Sequence, residues 1–270
     1  MVDDSSGIDD TVRVALITGG GTGIGAASAR RMANDGYRVV VTGRRDGPIE
    51  AVADQVGGLA IVADTSVEDD CERAVAQTIE WFGRLDVLVT NAGVEAFGSA
   101  ADVDLDQWRH VMKINVDGVL LAVRSATEAL KDTRGSIVVV ASVAALTSGP
   151  SFSAYVTSKT ALLGLVRSLA VDLGPFGVRA NALCPGWVAT EMSDREVAEL
   201  AGALDSSLDE SRGRLVEFLP LNRMADPSEI AACIAFLAGS DSSFMTGTTL
   251  VVDGGGSAVD VGTLAYRELG

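Results

Sequence analysis

Seven short apolar runs recur along the chain. They are "VRVALIT" (12–18), "YRVVVT" (37–42), "LAIVAD" (59–64), "LDVLVT" (85–90), "SIVVVAS" (136–142), "VRANALC" (178–184) and "TTLVVD" (248–253). Each is continuous and β-branched rather than alternating, the pattern of strands covered on both faces. Between them lie segments with helical periodicity and readable ends. In "TSVEDDCERAVAQTIEWFG", Ser66 is the expected N-cap with Asp69 three residues on, and Gly83 the stop. In "DPSEIAACIAFLAGS", Asp226 is the expected N-cap, Pro227 sits at N1, Glu229 at N3 and Gly239 at C′. Strand, helix, strand, helix throughout predicts an α/β fold: one doubly wound, seven-stranded, mostly parallel sheet flanked by helices on both faces. Neither an internal repeat nor a linker interrupts it, so residues 11–270 read as a single domain. Residues 1–10 are expected to be disordered, and the polar, acidic 191–224 to form a lid.

Composition narrows the function classes. A formal net charge of -16 argues against nucleic acid or an anionic membrane as partner. Cys71, Cys184 and Cys233 are far apart and show no ligand spacing, so neither disulfides nor a metal site is expected. No apolar run reaches the roughly eighteen residues of a membrane span, and the acidic N-terminus does not read as a signal peptide. The expected location is the cytoplasm.

The loop after the first run carries the first chemistry. In "ALITGGGTGIGAASARRMANDG" a strand passes through Gly19, Thr22, Gly23, Ile24 and Gly25 straight into a helix. In that context backbone N–H groups and a helix N-terminus can receive a pyrophosphate. The spacing is not the G-x-G-x-x-G of the common dinucleotide fingerprint, and a plain glycine turn would read the same way. The second strand ends in "TGRRDG". A carboxylate there would accept the ribose 2′-hydroxyl of NAD, whereas Arg44 and Arg45 suit a 2′-phosphate. NADP(H) is therefore the expected cofactor, with NAD(H) as the alternative.

"YVTSK" sets Tyr155 and Lys159 four positions apart, one above the other on a helix face. An ordinary amphipathic helix would also carry such a pair. However, "TGGGTGIG" (18–25), "NAG" (91–93), Ser142, "YVTSK" and "PGWVAT" (185–190) fall in one order and register. Together they resemble the short-chain dehydrogenase/reductase family, in its compact single-domain, Rossmann-type branch, and are similar to 3-oxoacyl-carrier-protein reductases. The resemblance covers about residues 12 to 256; "TNAG" replaces the commoner "NNAG", and the tail after Gly256 is long.

That resemblance implies roles residue by residue. Tyr155 is the general acid/base, Lys159 lowers its pKa and holds the nicotinamide ribose, and Ser142 polarises the carbonyl. Asn115, in "KINVDG", kinks its helix and positions a proton-relay water. Asn91, Ala92 and Gly93 pass near the cofactor ribose, Asp64 and Thr65 near the adenine. Pro185, Gly186, Val188 and Thr190 flank the nicotinamide. The implied assembly is a homotetramer built on the helices that start near residues 105 and 155.

A phenol works as a base at neutral pH only if its pKa comes down, which a nearby cation favours. The substrate loops contribute Val94, Ala144, Leu146, Phe152 and Trp187, an apolar set that suits a small neutral ketone or alcohol. His110, the only histidine, reads as a surface residue and the cysteines as small core hydrophobes. The expectation is an NADP(H)-dependent oxidoreductase interconverting a ketone and a secondary alcohol. The alternatives are an NAD(H)-dependent alcohol dehydrogenase of the same family, a non-catalytic cofactor sensor, or an epimerase or dehydratase recycling its cofactor.

Overall fold

The computed structural model describes residues 12–269, so the expected disorder of residues 1–10 lies outside the described residues. The seven runs form strands β1 (Val14–Thr18), β2 (Arg38–Gly43), β3 (Leu59–Val62), β4 (Val87–Thr90), β5 (Ser136–Val140), β6 (Arg179–Pro185) and β7 (Thr249–Val252). They pair in the order β3-β2-β1-β4-β5-β6-β7, and every pairing is parallel. The order reverses between β1 and β4, so a crevice opens beyond their carboxyl ends, where ligands bind in open α/β sheets.

The continuous apolar runs are explained by their two faces. Val14 and Leu16 pack under α3 (Glu68–Phe82), α5 (Gly118–Thr133) and α6 (Ser153–Leu173). Ala15 and Ile17, one residue out of phase, pack under α1 (Gly23–Asn34), α2 (Asp46–Val56) and α9 (Pro227–Ala238). Successive side chains of a strand point to opposite faces, so a strand covered on both sides must be apolar at every position. Each fully buried Ile or Leu, such as Ile17, Leu88 or Leu183, contributes about 1.5–3 kcal/mol.

Helix ends follow the sequence in part. Asp226 caps α9 with Pro227 at N1, and Glu229 completes the capping box. Gly83 ends α3 in the left-handed conformation. Two expectations are corrected. The N-cap of α3 is Val67, not Ser66. The local acceptors are used elsewhere: Asp64 Oδ1 accepts from Ser66 N and Asp70 Oδ2 from Asp64 N. Gly239 is the C-cap of α9, in an extended conformation, and not its C′ residue. The segment expected to form a lid folds as two helices, α7 (Glu191–Leu204) and α8 (Leu208–Val216), each started by a capping box. After Gly256 the tail runs through a 3-10 segment (Val261–Leu269), and Arg267 donates to the Glu217 carbonyl at 3.4 Å.

Candidate active site

One cavity of about 840 Å³ opens over the carboxyl ends of β1, β4, β5 and β6. Its first wall is the glycine loop. Gly19 and Gly23 have φ of 63° and 52°, a region that favours glycine. Gly25 does not line the cavity but packs behind the loop, where a Cβ would meet the Gly19 carbonyl at 2.2 Å. Thr22 is the N-cap of α1 and its side chain caps nothing, so the helix N-terminus is left open toward the cavity wall formed by Thr22, Gly23 and Ile24. That combination of open donors and a helix dipole fits a pyrophosphate.

Asn91 ties this loop to β4. Its Nδ2 donates to the carbonyls of Thr18 and Gly19, both at 3.1 Å, while Thr18 Oγ1 accepts from Asn91 N and Ala92 N. At the end of β2, Arg44 and Arg45 both line the cavity. Arg45 pairs at 3.4 Å with Glu191 of α7; no ion pair of Arg44 forms among the described residues. Asp64 and Thr65 form the adjoining wall, and Pro185, Gly186, Val188 and Thr190 the wall opposite.

The floor is built by α6 and the end of β5. The start of α6 is fixed to the β4 loop: Ser153 Oγ donates to the Gly98 carbonyl at 2.8 Å, and Phe152 stacks edge-on against Phe97 at 5.0 Å between ring centroids. Tyr155 on its first turn lines the cavity together with Ser142. Ser142 Oγ also accepts from Ala144 N at 3.1 Å as cap of a 3-10 turn, which leaves its own hydrogen to point at an oxygen. Lys159, one turn further, is buried; its Nζ donates to the Val140 carbonyl at 3.0 Å and lies 5.7 Å from the Tyr155 ring centroid.

Burial dominates the electrostatics of the site. It pushes the Tyr155 phenol well above its ordinary value; only Ser142 opposes it, while Glu95 and Glu196 push it further up. The Lys159 ammonium is itself desolvated, and burial brings its own pKa down to about 8. Asn115 sits at a break in its helix. A π-helical turn (Lys113–Asp117) joins α4 (Leu105–Met112) to α5 and carries Asn115 inward, so the expected kink is present. Its side chain, however, is committed to protein: Oδ1 accepts from Val94 N, and Nδ2 donates to Val94 O and Ser158 Oγ. Neither hydrogen of Nδ2 is left for a water.

On the substrate side Val94, Ala144, Phe152 and Trp187 line the cavity as expected. Leu146 does not: it is 49% exposed and lies outside. Thr147, Ser148, Glu95, Met192, Arg195 and Glu196 line it as well, and the sequence reading did not name them as site residues. His110 is exposed and away from the cavity, Cys71 and Cys184 are buried, and no metal-binding cluster occurs among the described residues.

A family model described as enoyl-(acyl carrier protein) reductase matches residues 19–257. The chain belongs to the short-chain dehydrogenase/reductase family. Among its relatives is Protein MoaE of Klebsiella aerogenes, 42% identical over 94% of this chain and 99% of that one. Another is the L-rhamnose 1-dehydrogenase (NAD(P)(+)) of Azotobacter vinelandii, 36% identical over 92% of this chain and 96% of the relative. The crystal structure of an actinorhodin polyketide ketoreductase with NADPH superposes with a TM-score of 0.88 at 30% identity, covering 92% of this chain and 98% of that one. The fold is thus the family's Rossmann-type fold, and the protein is an oxidoreductase of the class that binds NAD(P) and acts on alcohols and ketones.

Proposed function

We propose that this chain is an NADP(H)-preferring oxidoreductase that interconverts a ketone and a secondary alcohol, with Tyr155 as proton donor and acceptor. The observation that carries the reading is the meeting of Tyr155 and Ser142 in one cavity, with the Lys159 ammonium buried one helical turn behind the tyrosine. A nicotinamide bound between the glycine loop and the Pro185–Thr190 wall would supply or accept the hydride. Ser142 Oγ donates to the substrate oxygen as negative charge grows there, an oxyanion-type role. Tyr155 Oη gives its proton to that oxygen on reduction and takes one back on oxidation. Lys159 holds the cofactor ribose and keeps a positive charge beside the phenol below about pH 8. Asn115 keeps the Val94 loop and the α6 backbone in register; a relay water at this position would be held by its main-chain carbonyl.

Arg44 clamps the 2′-phosphate, Arg45 being the one engaged by Glu191. Asp64 and Thr65 border the adenine. The domain is a single unit over residues 11–270. Exposed Leu105, Leu120 and Val171 on α4, α5 and α6, and Phe236 and Phe244 near β7, support assembly into a homotetramer, which light scattering would check against a monomeric mass. No helix among the described residues is long and apolar enough to cross a membrane, and we place the protein in the cytoplasm.

The experiment is a fluorescence titration with NADPH and, separately, NADH. Tighter NADPH binding is expected, and Arg44→Ala should weaken NADPH about 10–100-fold, as for loss of a charge-assisted bond worth about 1.5–3 kcal/mol, while leaving NADH within threefold. Equal losses for both cofactors would refute the clamp.

A further inference from the structure

Two elements distant in the chain meet at the cofactor half of the cavity. Arg45 is the N-cap of α2, directly after β2, and Glu191 is the first residue of α7. Both line the cavity, and Arg45 Nη2 donates to Glu191 Oε2 at 3.4 Å. The two side chains are 66% and 58% exposed, and the contact is long, so the pair is easily parted. The start of α7 does not depend on it, because Thr190 and Ser193 close a capping box without Glu191. Thr190 in turn packs against the glycine loop: a Cβ on Gly23 would lie 3.1 Å from its Cγ2. Glu191 is thus placed beside the arginines by the fold and not by its own charge.

The setting around Arg45 favours an anion. Arg44 precedes it with no ion pair among the described residues, and the N-cap side chain of α2 caps nothing, so the positive end of that helix is open. Two other carboxylates are close in the chain or the cavity. Asp46, in the first turn of α2, does not line the cavity, and Asp64 Oδ1 is occupied by Ser66 N. Glu191 is the carboxylate that pairs with Arg45. It engages a guanidinium that a 2′-phosphate would otherwise share between Arg45 and Arg44. We propose that Glu191 is a cofactor-specificity residue: by restraining Arg45 it holds NADPH affinity below what the two arginines would give, and it leaves NADH affinity alone. A cofactor with a 2′-hydroxyl brings no charge to compete for Arg45, whereas a 2′-phosphate must part the ion pair first. The inference rests on the NADP(H) reading for the phosphate it concerns, but not on Arg44 as the clamp.

Fluorescence titrations with NADPH and NADH test this without any turnover. The proteins are the parent, Glu191→Gln, Arg45→Gln, the double variant and Glu199→Gln. Glu199 lies on α7 but does not line the cavity, so its variant makes the same change of net charge elsewhere on the helix. Glu191→Gln is expected to tighten NADPH about two- to fivefold, the worth of an exposed ion pair, and to leave NADH unchanged. The gain should vanish in the presence of Arg45→Gln, and Glu199→Gln should produce none. NADH affinity shows that each variant is folded. An NADPH affinity unchanged or weakened by Glu191→Gln, an equal gain for both cofactors, a gain that survives Arg45→Gln, or an equal gain from Glu199→Gln would overturn the restraint. If Arg44→Ala leaves NADPH binding unchanged while Glu191→Gln still tightens it through Arg45, the Arg44 clamp falls and the restraint stands.

Discussion

Asn115→Ala is expected to cost stability as well as activity. The side chain is 1% exposed and joins three segments. Oδ1 accepts from Val94 N at 2.8 Å, Nδ2 donates to Val94 O at 2.8 Å, and Nδ2 donates again to Ser158 Oγ at 3.0 Å. Ser158 Oγ in turn donates to the Tyr155 carbonyl at 2.8 Å, so the loss is passed to the catalytic turn of α6. At about 0.5–1.5 kcal/mol for each bond, the three together are worth about 3 kcal/mol. In a chain of this length that is roughly 6–12 °C in Tm. Scanning calorimetry or circular dichroism would read it. Asn115→Asp sharpens the test. It keeps the acceptor for Val94 N but turns an oxygen toward the Val94 carbonyl, so its carboxylate form is disfavoured and its folded pKa is raised. The sign follows: the Asp variant should be near parental stability below its unfolded pKa of about 4 and lose ground as pH rises toward 7. A melting temperature within 2 °C of the parent for Asn115→Ala at pH 7 would refute the clamp.

Other outcomes follow from the same geometry. Tyr155→Phe should lower kcat by about 10²–10⁴-fold, the usual worth of a positioned acid/base, with NADPH affinity within threefold; comparable turnover would remove Tyr155 from its role. The pH profile of kcat/KM should fall above about pH 8 as Lys159, its pKa drawn down by burial, loses its proton; a profile flat to pH 10 would show that its charge is not needed. Asp86 is buried, with Arg84 at 2.7 Å and Val14 N at 2.8 Å on its carboxylate. Asp86→Ala should cost about 3–5 kcal/mol by leaving that pair broken, seen as a lower urea midpoint at unchanged slope; a midpoint equal to the parent's would sink it.

The sheet was readable because strand identity here is a local property. Covered parallel strands are apolar at most positions, and the ends of all seven runs fall within two residues of the strand ends. The α9 start was equally local, since Asp226, Pro227 and Glu229 make their bonds within one turn. The α3 start failed for the opposite reason. Ser66 carries a capping hydroxyl, but Asp64 captures its N–H and Asp70 folds back on Asp64 N, so the chain enters the helix one residue later. Propensity at a single position cannot show which of three nearby acceptors wins. The alternation of strands and helices carried the parallel sheet, whereas the strand order is non-local and was not read from the sequence.

In the site, legibility again tracked distance along the chain. Tyr155 and Lys159 are one turn apart, and the Arg pair sits directly on a strand end. The cavity brings together Glu95 and Glu196, positions about a hundred residues apart, and no spacing rule reaches that far. The same limit shows what the simple cation-beside-phenol argument leaves out. It counts the charge on Lys159 but not the water that both groups lose. Desolvation raises the phenol and lowers the ammonium together, and neither change is visible in "YVTSK".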